Sequence, residues 1–221
     1  DVLLKPLSNV SGIVEKRHAL PILSNLLLEG SKDNTLKFSA TDLEVQVSLS
    51  VETKIENDFS ITIAARKFFD ITRSLPENSS INIQVEESKA TVKAGKSKFN
   101  LQTLPIKDYP LMKTEKDNIE KITVPQNQLK ATLKYVDFAM AQQDIRYYLN
   151  GLLFEVDGKK LNIVGTDGHR LSFNSINLSE VSEKKQIIIP RKTVLELIKL
   201  LDDSSDAIEI SLTKNQVTFD F

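Results

Sequence analysis

The feature that most constrains this 221-residue chain is an internal repeat. Two stretches align without a gap at a shift of 125 residues: residues 25–42 read NLLLEGSKDNTLKFSATD, and residues 150–167 read NGLLFEVDGKKLNIVGTD. Each copy has an apolar strand, a polar turn and a second strand of alternating apolar residues, which is the pattern of a β-hairpin. The repeat predicts two similar structural units in tandem.

The repeat continues downstream into a strand and a helix, at a shift of 126 residues. Residues 60–75 read SITIAARKFFDITRSL, and residues 186–201 read QIIIPRKTVLELIKLL. Both copies place three apolar residues on one helix face: Phe68, Ile71 and Leu75, then Val194, Leu197 and Leu201. Both also carry a basic, acidic and basic residue on the other face: Arg66, Asp70 and Arg73, then Lys192, Glu196 and Lys199. Matching on both faces indicates duplication.

An earlier helix completes each unit, over about residues 2–13 and residues 126–142. In the second of these, Leu129, Leu133, Val136 and Met140 are predicted to face inward. The pattern predicts an α+β fold in which each unit packs two helices on antiparallel sheets. We expect domains at 1–118 and 119–221, joined through a proline-containing linker at 104–121. Comparison of the copies suggests that the first lacks its opening strand and the second its closing strand.

The charge of the chain is unevenly distributed. The four predicted helical segments (1–17, 64–75, 125–143 and 190–201) together carry +6, although the whole chain carries −1. Helices on one side of the sheets would form a basic surface able to attract a polyanion. Lysine and arginine that merely keep helix surfaces soluble would give the same count. The chain has no cysteine and no apolar run near the roughly 18 residues of a membrane helix, and we expect a cytoplasmic protein.

GTDGHRL at residues 165–171 is the string most suggestive of catalysis. Asp167 and His169 could form an acid–base pair or a metal-binding pair. Together with Asp42 of the first copy, they suggest an alternative function, a duplicated metal-dependent hydrolase or nuclease. The first copy reads TDLEV at this place, without histidine. A Thr-Asp pair that caps a turn through its own backbone is the simpler interpretation.

Two strings have a composition found in nucleic-acid sites. EKRH follows the first helix, and QQDIRYY follows the third, at residues 142–148. The second string places aromatic rings beside arginine and glutamine, which can stack on bases and bond to phosphates. Both tyrosines could instead pack at the start of a strand.

Seven strings together resemble the bacterial DNA polymerase III β subunit, the sliding-clamp family: RHALPILSNLLLE, TDLEVQV, ARKFFDITRSLP, KFNLQTLP, AQQDIRYYLNGLLFE, GTDGHRL and IPRKTVLEL. They occur in order along nearly the whole chain. The resemblance implies tandem DNA-clamp domains from a subunit of three, two subunits closing into a ring around duplex DNA. It implies a processivity factor without catalytic residue, cofactor or metal, with helices lining the hole.

The resemblance also implies roles for individual residues. Residues expected to approach DNA are Arg17, Arg66, Lys67, Arg73, Gln143, Tyr147, Tyr148, Lys192 and Lys199. One wall of a groove for peptides of the polymerase III α subunit, the clamp loader and other clamp-binding proteins would comprise Leu149, Thr166, Gly168, His169, Arg170 and Leu171. Phe99 and Leu101 would lie in the homodimer interface of a full-length subunit.

The third clamp domain has no counterpart in these 221 residues. We therefore expect the chain alone not to close a ring, and a stable ring dimer in sedimentation would contradict this. A further alternative, a purely structural tandem-domain protein, predicts no salt-dependent DNA affinity.

Overall fold

The computed structural model describes residues 2–14, 20–86, 88–115 and 117–221. The chain divides into two compact units, residues 1–112 and 113–221. Each unit contains two helices packed on antiparallel strands, so the predicted α+β class is confirmed. In the described part of the chain, no helix has the length and hydropathy needed to cross a membrane.

The first unit contains α1 (Leu4–Ser11), β1 (Asn25–Ser31), β2 (Thr35–Thr41), β3 (Gln46–Glu52), β4 (Phe59–Ala64), α2 (Ala65–Ser74), β5 (Ile81–Glu86), β6 (Lys89–Ala94) and β7 (Ser97–Gln102). Single 3-10 turns occur at Pro21–Ser24 and Ile106–Asp108. One sheet has the strand order β3-β2-β1-β4 and the other the order β5-β6-β7. The helices and both sheets enclose one core, in which Phe38 and Phe68 are fully buried.

The second unit contains β8 (Glu120–Pro125), α3 (Gln126–Val136), β9 (Gly151–Thr166), β10 (Leu171–Pro190), α4 (Arg191–Leu200), β11 (Ala207–Leu212) and β12 (Val217–Asp220). Single 3-10 turns occur at Asp137–Ala139 and Tyr147–Leu149. Two long strands, β9 and β10, take the place of the first unit's four-stranded sheet, and β12-β11-β8 form the other sheet. Gly158 in the predicted hairpin turn has a φ of +60°, the left-handed conformation that suits glycine.

Strand pairing corrects the ungapped alignment of the repeat. In the first unit, Asn25 pairs with Ala64. Pro190 corresponds to Ala64 in the second unit, and it pairs with Gly151 rather than with Asn150. Burial agrees, because Leu26 and Leu28 face the first core as Leu152 and Phe154 face the second. The correct shift is therefore 126 in the first strand of the hairpin and 125 in the second, and the turn absorbs the difference.

The predicted helix ends also need correction. Residues 126–142 do not form one helix, because α3 ends at Val136 and a 3-10 turn follows. A Cβ atom on Gly165 would lie 2.6 Å from the Val136 carbonyl oxygen, so this end of the helix packs directly on β9. The four inward positions of this segment are all buried, as predicted. Helix α2 ends at Ser74, since Leu75 precedes Pro76 and has an extended backbone.

Candidate functional site

Helix α2 presents basic side chains opposite its buried Phe68. Arg66 and Lys67 are exposed in its first turn. Arg73, in the last turn, lies 3.6 Å from the Asp70 carboxylate, and its guanidinium is 5.6 Å from the centre of the Phe69 ring. An exposed ion pair of this kind contributes about 0–1 kcal/mol, so Arg73 can exchange its partner for a phosphate at little cost.

Helix α4 repeats this arrangement in the second unit. Lys199 Nζ lies 2.7 Å from Glu196 Oε1, at the same i, i+3 spacing as Arg73 and Asp70. Lys192 is half-buried and engaged in contacts. The predicted basic-acidic-basic stripes thus form the same surface ion pair in both units.

The loop at residues 142–150 is held by two anchors. Asn150 accepts a hydrogen bond from Asp144 N at 2.9 Å and donates one to Asp144 O at 2.8 Å. The Asp144 carboxylate accepts bonds from Arg146 Nε at 3.0 Å and Nη2 at 2.9 Å. These bonds from the Arg146 side chain, followed by one from its backbone N–H, lower the pKa of Asp144 to about 2. The loop is therefore held in place by an ion pair and two amide hydrogen bonds, and it contains the 3-10 turn at Tyr147–Leu149.

Two tyrosines project from this anchored loop. Tyr147 is 82% exposed and Tyr148 is 50% exposed. Their rings meet edge to face, with centroids 5.9 Å apart. The alternative that both tyrosines pack against a strand is wrong for Tyr147, and Gln143 beside them is exposed with a φ of +56°. The loop offers exposed aromatic rings beside the Arg146 guanidinium, which is paired with Asp144.

The turn between β9 and β10 is built by its own Thr-Asp pair. Thr166 Oγ1 accepts a hydrogen bond from Gly168 N at 3.1 Å, and Asp167 Oδ1 accepts bonds from the N–H groups of His169 at 2.9 Å and Arg170 at 3.0 Å. These backbone bonds are the main reason that the pKa of Asp167 is lowered. A carboxylate held ionised in this way is a poor general acid, because that role needs a raised pKa.

The first unit contains the same turn. Thr41 Oγ1 accepts a hydrogen bond from Leu43 N at 3.1 Å. Asp42 Oδ1 accepts hydrogen bonds from Glu44 N at 3.0 Å and from Val45 N at 2.8 Å. Both aspartates serve the turn, which favours the structural interpretation over the hydrolase. Among the residues that the structure describes, no three acidic or histidine side chains are grouped so that they could hold a metal ion.

The structure brings this turn together with the tyrosine-bearing loop and the end of α3. A Cβ atom on Gly168 would lie 3.3 Å from the Arg146 guanidinium. Arg170 donates from Nη2 to Phe138 O at 2.7 Å, and its guanidinium lies 5.4 Å from the Phe138 ring centre. The sequence indicated Arg146 only as the arginine of the QQDIRYY string, able to bond to phosphates, and it did not indicate Phe138. The two-residue spacing of Asp144 and Arg146 could have indicated the ion pair of Arg146, but no sequence signal indicated the contact at Phe138.

The other predicted site residues have mixed exposure. Leu171 is exposed, Thr166 is half-buried, and Leu149 is buried. Leu101 is buried in the core of its own unit, while Phe99 beside it on the edge strand β7 is half-buried. The predicted DNA contact at residue 17 and the EKRH string lie outside the described residues.

Comparison with known proteins accounts for both units. Residues 1–113 match the family model described as DNA polymerase III beta subunit, N-terminal domain, and residues 123–221 match the central domain of the same subunit. The chain is 41% identical over 216 residues to the beta sliding clamp of Escherichia coli K12, covering 97% of this chain and 58% of that protein. It is 43% identical over 221 residues to the beta sliding clamp of Pseudomonas aeruginosa PAO1, covering 98% and 59%.

Solved structures agree with these matches. A Pseudomonas aeruginosa sliding clamp (DNA polymerase III subunit beta) bound to griselimycin superposes with a TM-score of 0.93 at 42% identity, covering 99% of this chain and 59% of that one. A Caulobacter crescentus beta sliding clamp superposes with a TM-score of 0.91 at 33% identity, covering 100% and 60%. The chain thus spans about three fifths of the length of the relatives it matches.

Proposed function

The chain belongs to the DNA polymerase III beta subunit family, and from this premise we propose that it forms two domains of a sliding clamp. Such a clamp encircles duplex DNA and tethers the replicative polymerase without catalysing a reaction itself. The observation that carries the proposal is that both units match the family's N-terminal and central domains in order. We propose domains at residues 1–118 and 119–221, with a boundary six residues beyond that of the compact units at 112, and a cytoplasmic protein.

The basic helix faces would contact the DNA backbone. Their exposed cations (Arg66, Lys67, Arg73 and Lys199) can pair with phosphates, which carry no sequence information. Such contacts are individually modest and weaken as salt rises, because binding releases counterions from the DNA. A clamp that slides needs this weak, sequence-independent interaction.

The loop with Gln143, Tyr147 and Tyr148 would add contacts of a second kind. Both rings are exposed on an anchored loop, so little conformational entropy is lost when they meet a base or sugar. Arg17 and Lys192 are the two remaining residues for which we propose a contact with DNA. Lys192 is half-buried and already has an interaction within the protein.

The turn at residues 166–171 would form part of a docking groove for peptides of the polymerase III α subunit, the clamp loader and other clamp-binding proteins. Exposed Leu171 offers an apolar contact, Gly168 and His169 are exposed in the same turn, and Leu149 is buried. Arg170 is held by Asp167 and Phe138, so it can border the groove without losing its position. The edge strand β7, with Phe99 and Leu101, would contribute to a homodimer interface in the full-length protein.

The decisive experiment measures topological binding. The protein as expressed from its own gene is loaded on closed circular DNA by a clamp loader, and the circle is then cut. We expect retention on the circle and rapid loss from the linear product, because a ring leaves only over an end. Equal loss from both forms would contradict the proposal.

A further inference from the structure

A cavity of about 550 Å³ opens on the outer face of the first unit's four-stranded sheet, at the end that carries the β1–β2 turn. Residues 104–112 cross the opposite end of this face, where the Tyr109 hydroxyl donates to Asn25 O at 3.3 Å and to Ser39 O at 3.0 Å. None of the residues that line the cavity belongs to that segment. We call it the hairpin cavity, and its lining includes Glu29, Lys37, Asp58, Phe59 and Ser60.

Glu29 is the central residue of the hairpin cavity in the strand ladder. It pairs with Lys37 on β2 and with Ser60 on β4, and all three face away from the core that holds its neighbour Leu28. Glu29 is half-buried. No hydrogen bond or ion pair joins its carboxylate to any other residue that the structure describes, Lys37 included. A half-buried charge without a partner has lost part of its hydration without compensation.

The second unit shows how the same carboxylate is satisfied there. Glu155 corresponds to Glu29, and it accepts hydrogen bonds from Gln186 Nε2 at 2.6 Å and from Asn162 Nδ2 at 3.1 Å. The ammonium group of Lys184 lies 3.3 Å from the same carboxylate. The glutamate at this position of the repeat therefore binds an ammonium group in the second unit.

The first unit has no lysine at the position of Lys184. Phe59 matches Lys185 in the strand pairing of the two units, so the residues that precede them, Asp58 and Lys184, also correspond. The charge at this position is reversed between the units. Where the second unit supplies an ammonium group to its glutamate, the first unit has a second carboxylate and an open cavity.

Hydrogen bonds hold the rim of the hairpin cavity in place. Asp58 Oδ1 accepts a bond from Lys32 N at 2.7 Å, which ties the loop before β4 to the β1–β2 turn. Thr53 N donates to Asn34 O at 2.8 Å, which ties the start of the same loop to that turn. A ligand would not have to order these segments, so the entropy cost of its binding would be small.

We propose that the hairpin cavity binds a primary alkylammonium group, the chemical group that Lys184 supplies in the second unit. Glu29 would accept its charge-assisted hydrogen bonds, and the Phe59 ring would contact its methylene groups. The lining carries a net charge of −2, from three carboxylates and one ammonium group, which favours a cation. The contact with methylene groups favours an alkylammonium over an inorganic cation. This inference does not depend on the proposed function.

The test compares butylammonium, which reproduces the end of a lysine side chain, with the uncharged 1-butanol. Each is titrated into the ¹⁵N-labelled 221-residue chain at about 0.15 M KCl, where distant charges are screened, and the amide chemical shifts are followed by NMR. Glu29→Gln removes the charge and keeps the shape of the side chain. Glu77→Gln, at an exposed position after α2, makes the same change of charge elsewhere and is the control.

We expect butylammonium to shift the amide signals of Gly30, Ser31 and Ser60 in a saturable way, and 1-butanol to shift them little. Glu29→Gln should weaken the binding of butylammonium at least about tenfold, because a charge-assisted hydrogen bond becomes a neutral one. The Glu77→Gln variant should bind it as the unchanged protein does. An unchanged affinity in Glu29→Gln would overturn the proposal, as would equal shifts with 1-butanol or an equal loss of affinity in the two variants.

A blocked lysine peptide, acetyl-Gly-Lys-Gly-amide, identifies the source of the ammonium group. Tighter binding of this peptide than of butylammonium would assign the cavity to a lysine of a partner polypeptide. Equal or weaker binding would assign it to a free amine. Either result supports an alkylammonium site if Glu29→Gln abolishes it.

Discussion

Asp144 and Arg146, two residues apart, form a two-point ion pair, with Nε to Oδ1 at 3.0 Å and Nη2 to Oδ2 at 2.9 Å. The pair holds the loop that carries Tyr147 and Tyr148, and Arg146 also reaches the turn at Gly168. One arginine thus joins the proposed DNA-contacting loop to the turn of the proposed docking groove. The conformation of the loop therefore depends on the charges of Asp144 and Arg146.

The first prediction concerns this pair. The pKa of Asp144 is lowered from 3.8 to about 2, so the pair stabilises the folded protein above pH 3.8 and loses its contribution as pH falls towards 2. In Arg146→Gln the pKa of Asp144 should rise towards 3.8, though only in part, because the backbone N–H of residue 146 still donates to it. Carboxyl ¹³C NMR titration measures this, and an unchanged pKa would refute the assigned cause.

The second prediction concerns the basic helix faces. Arg73→Glu and Lys199→Glu should each weaken binding to duplex DNA, because each removes a cation that pairs with a phosphate and adds a repulsive charge. The slope of log affinity against log salt should fall in magnitude by about 0.9 for each phosphate that is no longer paired. Fluorescence anisotropy at several salt concentrations measures both effects.

The control for this second experiment is Lys54→Glu, which reverses another exposed, ion-paired cation outside the helices. We expect it to change the affinity and the salt slope much less. Equal effects of all three reversals would show that only net charge matters.

The third prediction concerns Gly165. Gly165→Ala places a Cβ atom 2.6 Å from the Val136 carbonyl oxygen, so β9 and the end of α3 must separate. We expect a loss of about 1–3 kcal/mol in the free energy of unfolding, the usual range for overpacking. Gly158→Ala is the comparison variant, because its added Cβ atom meets open space and the only cost is that of a φ of +60°. It should cost about 1 kcal/mol from backbone strain alone, and urea unfolding compares the two variants.

The fourth prediction concerns Tyr109. Burial raises the pKa of its hydroxyl from 10.0 to about 12, so the neutral form contributes stability that is fully present below pH 10 and is lost as pH rises towards 12. Tyr109→Phe should remove this alkaline dependence. It should also lower the free energy of unfolding at neutral pH by about 1 kcal/mol, because the hydroxyl's hydrogen bonds are removed.

Urea unfolding between pH 7 and pH 11 measures both effects of this change. Tyr147→Phe, at an exposed tyrosine, is the control and should leave stability nearly unchanged. A Tyr109→Phe variant that retains the alkaline loss would show that another group causes it.

Sequence alone determined the features that depend on neighbouring residues. The duplicated hairpins, the inward positions Leu129 and Leu133, and the turns capped by Asp42 and Asp167 all follow from local spacing and from side chains that bond to their own backbone. The family resemblance, carried by strings in a fixed order, was confirmed by the family comparison.

Tertiary structure decided the features that depend on distant segments. The one-residue offset in the first strand is visible only in its pairing with a strand tens of residues away. Helix α3 ends at Val136 where it meets Gly165, and Arg170 reaches back 32 residues to Phe138. The crossing of the first sheet by residues 104–112 likewise joins parts of the chain up to 84 residues apart. Packing energy and hydrogen bonds between such segments outweigh local preference, and no local pattern encodes which segments will meet.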